Sequence, residues 1–497
     1  MNVLSLNHDV LSHILSFLVA KDALNLSVTS RKIYSIARRH AFSAVSLTSP
    51  AQLAEFCAYM LADVANRLFW LRDLEVCTSA FGVTSGEELE EEEGLVYLQD
   101  AALLAGLFAQ ATMLKCLSVS CIEVLVMSDS RIVEALIALP GLNKLQLSGT
   151  GPFTGQMLNK LRSRPRKLIL SFMERPSHSP LFFEHFASLQ SLHVLDLWNI
   201  KLDEFPPSQN GALLQCPTVQ HLSITASVTP MSPFVRAFPN LRTLLLWCVT
   251  AASLSPVTVT EDECWHRLNH VGGYTRDFTY WRVACPVRWL ELDVAITDDT
   301  QVELVISAVR DMTPIILSLN IYLYKELSFW TSLAGAVPRL KYLDLVAMNW
   351  SISRCQRWLD QVPPTLRTLK LICVRVYVSL PALHSALGEP TSLIWRDTFK
   401  HKLPSILAGS IPSLRYVALE LEADGRTPLI TRPRIARTQE ERRPEHASWW
   451  RITRSTEEPQ LQELAPHLGA RIHAYLHSVD FEMIDYIDDI LFPACAR

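Results

Sequence analysis

The 497-residue sequence predicts an α/β protein in which short parallel strands stack with helices on their other side, behind a small three-helix module. Three observations predict it. A strand-sized pattern, Pro-x-Leu-x-x-Leu-x-Leu, recurs along most of the chain. Its copies follow one another at a near-constant spacing. The first forty or so residues carry helical periodicity instead.

The pattern is clearest at Pro239-Asn-Leu241-Arg-Thr-Leu244-Leu-Leu246. Close copies run from Pro140 to Leu147, Pro338 to Leu345, Pro364 to Leu371 and Pro412 to Leu419. In each, apolar residues at period two bury on one side of a strand, and a proline can start the turn into it. A strand this short cannot bury its apolar face alone, but stacked neighbours can. The first leucine-type positions form a ladder at 42, 71, 114, 142, 165, 192, 219, 241, 287, 316, 340, 366 and 414. Most steps are 22 to 29 residues, the period of leucine-rich repeats. The steps 71 to 114, 241 to 287 and 366 to 414 are nearly double, so each holds an insertion or a decayed repeat. Pro165 stands where a leucine is expected, and Pro286 falls one place late. Leucine is common enough for single matches to arise by chance. A proline two residues ahead of seven of the units argues against that.

Length allows several domains or one long repeat array. Hydrophobic residues make up 49% of the chain and mean hydropathy is positive, as expected of a well-buried protein. A net charge of −4 gives no reason to expect nucleic acid or an anionic membrane as partner. The 11 cysteines include no C-x-x-C pair. Most, such as Cys57, Cys248 and Cys373, have apolar neighbours, which fits buried thiols in a reducing compartment. There is neither a basic segment leading into an apolar run at the start nor a long uncharged apolar stretch. The expectation is a soluble intracellular protein, nuclear or cytoplasmic.

Near the N-terminus, Val10, Leu11, Ile14, Leu15 and Leu18 mark one face of a helix that Asn7 can cap. A second short apolar element carries Leu24, Leu26 and Val28, and Ser30 can cap a third helix with basic residues outside. Three such helices make too small a core to stand alone and must dock on something. The segment from Leu6 to Tyr34 resembles an F-box: leucine at its head, an Ile/Leu-rich helix, Asp22 near a leucine, then Val28-Thr-Ser-Arg31. It departs from the family at Asn7, where proline is usual, and at Ile33-Tyr34, where tryptophan is common. The alternative is a helical cap of the repeats, since such arrays need polar-faced ends. The resemblance implies a substrate-receptor subunit of a cullin-based SCF ubiquitin ligase. Its F-box would bind a Skp-type adaptor, and through it a cullin, while the repeats hold the target protein. The residues matching the family's adaptor-facing positions are Leu6, Val10, Ile14, Leu15, Leu18, Leu24 and Val28.

The expected domains are helical 1–41, repeats 42–425, an Arg-rich loop or linker 426–460 and a helical cap 461–497. Ser49-Pro50 should open a helix through Val64. The acidic run from Ser85 to Glu93 reads as a solvated loop. From Arg426 to Arg454, eight arginines face three glutamates, and the segment should be loosely ordered. Leu464, Leu468, Ile472, Tyr475 and Leu476 predict a closing helix, and Ile484, Ile487, Ile490 and Leu491 another.

Nothing points to catalysis. Leu145 to Gly155 has the strand, glycine turn and helix of a dinucleotide site. Its glycines, however, are spaced G-x-G-x-x-x-G with Pro152 inside the turn. Cys264, His266 and His270 lack a fourth metal ligand at a useful spacing, and the expectation is an inserted loop. No metal or cofactor is expected.

If the leucines point into the core, the alternate positions face the inner curve. Those are Asp73, Glu75, Asp196, Trp198, Trp247, Trp289, Glu291, Asp293, Tyr322, Tyr342, Asp344, Tyr416 and Glu420, with Lys144 and Lys370 as the chief bases. Seven acids among aromatics predict capture of a basic protein segment across the region from Trp198 to Tyr342.

Overall fold

The computed structural model describes residues 6–82, 100–173, 177–178, 183–202, 215–250, 264–294, 296, 298–321, 327–347, 352–378, 389–421, 447–454 and 458–482. The chain divides into two compact units, residues 1–241 with 248–256, and residues 242–247 with 257–497.

The first unit opens with three helices, His8–Leu15, Ala20–Ser27 and Arg31–Ser43. Asn7 caps the first, its Oδ1 accepting from Val10 N at 2.8 Å, and the Ser30 hydroxyl caps the third. Leu11, Leu15, Ile33, Ile36 and Ala37 form their core. The third helix runs directly into the strand Ala44–Leu47. It also docks on the first repeat: Arg38 Nη2 donates to Tyr59 Oη at 2.5 Å, and the Arg39 guanidinium lies 3.8 Å from the Trp70 ring centroid. These contacts answer the need of a small helical core for a support.

Seven strands of this unit pair in chain order and in parallel: Ala44–Leu47, Asp73–Val76, Cys116–Val119, Lys144–Thr150, Lys167–Phe172, Val194–Trp198 and His221–Thr225. The register aligns Asp73, Cys116, Lys144, Lys167, Val194 and His221, each two residues past its ladder position. The next residues, Leu74, Leu117, Leu145, Leu168, Leu195 and Leu222, form a buried column, none more than 1% exposed. Burying each contributes about 1.5–3 kcal/mol. The strands before and after the long step from 71 to 114 pair directly, so that step holds an insertion rather than a lost repeat.

In the second unit Thr243–Trp247, Leu268–Gly273, Val287–Val294, Ile316–Ile321, Tyr342–Ala347, Cys373–Val378 and Tyr416–Leu421 continue the same parallel pattern. Here the structure corrects the ladder three times. Leu268–Gly273 is a repeat concealed in the step from 241 to 287. It lacks the leucine spacing because Gly272 and Gly273 stand where side chains would collide with Leu245 and the backbone of Leu246. Ile316 pairs with Tyr342, so the true ladder position is Pro314, two residues earlier. The unit at Leu366 is not a strand: Leu366–Thr368 is a 3-10 turn following the helix Ile352–Thr365, and the strand begins at Cys373. Leucines three apart suit a helical turn as well as a repeat, and Leu366, Leu369 and Leu371 are all buried in the connection.

The Arg-rich segment also differs from expectation at its end. Ser448–Thr453 is a strand, antiparallel to Tyr416–Leu421, and Gln460–Leu464 pairs with it in turn. Its anchor is Trp449, fully buried. The expected acidic loop at 85–93, most of the Arg-rich stretch and the helix expected from Ile484 to Leu491 lie outside the described residues. The closing helix is present as Pro466–His477.

Candidate functional site

The first surface is the helical module. Its first helix has a divided apolar stripe: Leu11 and Leu15 turn into the core, whereas Val10 and Ile14 turn outward. Val10 is 42% exposed, Ile14 38%, Phe17 75%, Val19 66%, Leu24 40% and Val28 82%. A monomeric soluble protein gains nothing from an apolar cluster held in water, and such clusters mark contact surfaces. Leu6 and Leu18 pack against the core and are half-buried. Leu15, expected on the docking face, is 1% exposed and is a core residue instead. One helical turn separates Leu15 from Leu11, and both lie opposite Ile33 and Ile36. Phe17 and Val19 were missed by sequence reasoning. The signal for them was excess: more apolar side chains than a core of this size can enclose.

The second surface is the face of the first unit's strands that carries their alternate, polar residues. Asp73 and Glu75 are exposed, and Lys144, Lys167, Asp196 and Trp198 are half-buried. Burial pushes the Asp196 carboxyl above the usual carboxylate range, opposed by the Ser223 hydroxyl, Lys167 and Trp198. The face is polar, accessible and mixed in charge rather than acidic.

In the second unit the equivalent face is covered. The helix Pro466–His477 and Phe481 pack over Trp289, Ile316, Tyr342, Cys373 and Tyr416. Tyr342 is 0% exposed, Asp344 1%, Trp247 4% and Trp289 8%, so none of the four offers itself to a partner as expected. Trp289 stacks on His270 with centroids 3.9 Å apart and meets His477 edge-on at 4.5 Å. Trp247 packs edge-on against Tyr274. Glu291 and Asp293 are half-buried: His270 Nε2 lies 3.5 Å from Glu291, and Asn320 Nδ2 donates to Asp293 at 2.6 Å. Tyr322 lies outside the described residues.

Part of the acidic character expected here is offset by one residue. Arg375 Nη2 donates to Glu420 at 2.7 Å and its Nη1 is 3.8 Å from Asp344. The chain of contacts continues, Trp289 Nε1 donating to Ser318 Oγ at 3.0 Å and Ser318 to Asp344 at 3.4 Å. Arg375 was overlooked because the ladder slipped at Leu366 and put Lys370 on this face; Lys370 instead precedes the strand and is exposed.

The glycine turn has its own occupant. Glu123 accepts hydrogen bonds from Gly151 N at 2.9 Å, Phe153 N at 2.8 Å and Thr154 N at 3.1 Å. It therefore sits where a pyrophosphate would have to bind, and it caps the short helix Pro152–Leu158. His270 belongs to a strand, not to an inserted loop, and no cluster of metal-ligating groups occurs among the described residues. Burial pushes the thiols of Cys57, Cys285 and Cys355 up to about 12, which makes them poor nucleophiles at neutral pH. No helix among the described residues is long and apolar enough to cross a membrane.

These features define a class: an F-box helical module followed by strand–helix repeats of the leucine-rich type. Residues 3–43 match the family model of the F-box domain. No curated protein matches the chain. Among solved structures, the chain is similar to yeast Rad7 in the complex of Rad7 and Elc1, at 16% identity, covering 72% of this chain and 91% of that one with a TM-score of 0.31. It is also similar to the leucine-rich repeat-containing protein LegL7 of Legionella pneumophila, at 14% identity over 64% and 87%, TM-score 0.30. An internalin of Listeria monocytogenes shares 17% identity over 55% and 76%, TM-score 0.26.

Proposed function

We propose that the chain is the substrate-receptor subunit of a cullin-based SCF ubiquitin ligase. Its F-box would bind a Skp-type adaptor through Val10, Ile14, Phe17, Val19, Leu24 and Val28. The observation that carries this reading is the exposure of those six apolar side chains on a module that also contacts the first repeat through Arg38 and Arg39. A module serving only as a cap would need the contacts of Arg38 and Arg39 but no second apolar face. That favours the proposal over a repeat scaffold without a ligase role.

The target protein would be held by the polar strand face of the first unit, around Asp196 and Trp198. Trp247, Trp289, Tyr342 and Asp344 serve the core of the second unit instead, and Glu291 and Asp293 are engaged within it. The chain would carry out no bond chemistry. It would raise the effective concentration of target lysines near the conjugating enzyme. Co-expression with a Skp-type adaptor tests the first half: the two should co-purify as a stable pair. An adaptor that elutes separately would reject the receptor role.

A further inference from the structure

Arginines and aromatic rings gather on the seam between the helical module and the first repeat. The Arg39 guanidinium lies 3.8 Å from the Trp70 ring centroid, and that of Arg67 lies 3.9 Å from Tyr59. Arg38 comes within 6.0 Å of the rings of Tyr34, Phe42 and Tyr59, and Arg72 is 5.6 Å from Phe69. Phe69 in turn meets Trp70 edge-on at 4.9 Å, and Phe42 meets Tyr59 at 5.6 Å. Such cation–ring contacts occur about once per 70–80 residues. The run of them between Tyr34 and Arg72 is therefore a concentration, not a background.

Part of the cluster serves the fold. Arg38 donates to the Tyr34 hydroxyl at 3.1 Å and to that of Tyr59 at 2.5 Å. Arg67 donates to the Tyr59 carbonyl and Arg72 to that of Phe69, each at 2.6 Å. Two surpluses remain that docking the module does not need. The first is charge: none of the four arginines pairs with a carboxylate among the described residues. The acids nearest in sequence turn elsewhere, Asp63 accepting from Asn66 Nδ2 at 3.1 Å and Asp73 lying near Lys144. Glu55, one turn ahead of Tyr59, is exposed and makes no ion pair. The second surplus is apolar, since Tyr34, Tyr59 and Phe69 all stay exposed.

We propose that this seam docks an acidic segment of a partner protein. Its Asp or Glu carboxylates would meet the guanidinium edges, and its apolar side chains would cover Tyr59 and Phe69. A guanidinium lying on a ring is held in place while its N–H edge stays free for a carboxylate. Arg39 makes no hydrogen bond among the described residues, so its whole fork is open. Tyrosine, tryptophan and arginine are also the residues that dominate binding at interfaces, and unbalanced charge selects the partner. Single-stranded nucleic acid would need open ring faces for its bases, whereas Trp70 and Tyr59 already stack a guanidinium each. The proposal does not rest on the receptor role. None of the six side chains assigned to the adaptor belongs to the seam, and a chain that pairs with no adaptor would still carry it.

The test uses the full chain and fluorescence anisotropy of labelled probes. These are a short peptide alternating Glu with Leu, its Gln counterpart and a single-stranded oligonucleotide. The Glu peptide should bind at least about tenfold more tightly than the Gln peptide. Arg39→Gln and Phe69→Ala should each weaken it about fivefold or more, at unchanged melting temperature. Arg39 has no hydrogen bond to lose and Phe69 is exposed, so both variants should fold. Arg162→Gln, a cation of a later repeat, should leave binding unaltered, which separates a site from general attraction. Equal binding of the two peptides, indifference to Arg39→Gln and Phe69→Ala, or an equal loss in Arg162→Gln would overturn the proposal. So would an oligonucleotide that binds more tightly than the Glu peptide and is weakened by the same two variants.

Discussion

The Arg288 guanidinium donates to the backbone carbonyl of His477 at 2.8 Å, joining residues 189 apart in sequence. The same group donates to the carbonyls of Leu476 and Ser478. A buried cation thus closes the C-terminal end of the helix Pro466–His477, where unpaired carbonyls and the helix dipole both favour positive charge. This explains why that helix lies across the strands rather than beyond their last member.

Arg288→Met should therefore loosen the helix. Leaving these carbonyls without a donor inside the protein is expected to cost about 2–4 kcal/mol. Chemical denaturation followed by tryptophan fluorescence would measure it. A loss below about 0.5 kcal/mol would show that the cap is incidental.

Trp289→Ala tests whether this face is core. With the ring stacked on His270 and covered by His477, truncation should destabilise the second unit by about 3–5 kcal/mol. Partner binding through the first unit should be unaffected. A soluble variant of normal stability that has lost its target would restore the binding role for this tryptophan.

Arg375 is buried between Asp344 and Glu420. Arg375→Met leaves the Asp344 carboxylate buried without its counter-charge and should cost about 3–5 kcal/mol. Adding Asp344→Asn should recover part of that loss. Two losses that simply add in the double variant would mean the pair does not interact.

His477 gives a pH dependence. Burial first, then the charges of His473, Arg375, His270 and Arg288, hold its pKa well below the ordinary 6.5. The unfolded chain takes up a proton below about pH 6.5 that the folded chain refuses. Stability should therefore fall as pH drops below that value, by at most about 1.4 kcal/mol per pH unit from this group. It should level off below the folded-state pKa. His477→Phe keeps a ring against Trp289 and Tyr342 and should flatten the dependence. An unchanged slope would assign it to other groups.

Much of this fold was legible because the repeat is local. Leu241, Leu244 and Leu246 state their strand within six residues, and the proline ahead of them states its start. Where the repeat decays, long-range packing decides. Leu268–Gly273 is a strand because its neighbours require one, and Gly273 fits only because no side chain crowds Leu246. Alternation along a strand suggests which positions share a face but not what covers them: Ile472 and Leu476 look like any helix core until Trp289 and Tyr342 are seen beneath them. Arg375 was lost to a register slip at Leu366, and with it the partner of Asp344 and Glu420. In the helical module, periodicity showed which residues were apolar. Only the docked third helix shows that Leu15 is inside and Phe17 outside.

The most direct measurement is the affinity of the purified Skp-type adaptor for Phe17→Asp, compared with the unaltered chain. Phe17 is 75% exposed, so the substitution leaves the helical core intact and the melting temperature unchanged. Placing a charge within an apolar interface should weaken adaptor binding about a hundredfold or more. Affinities within about threefold of one another would contradict an adaptor-binding F-box surface at this position.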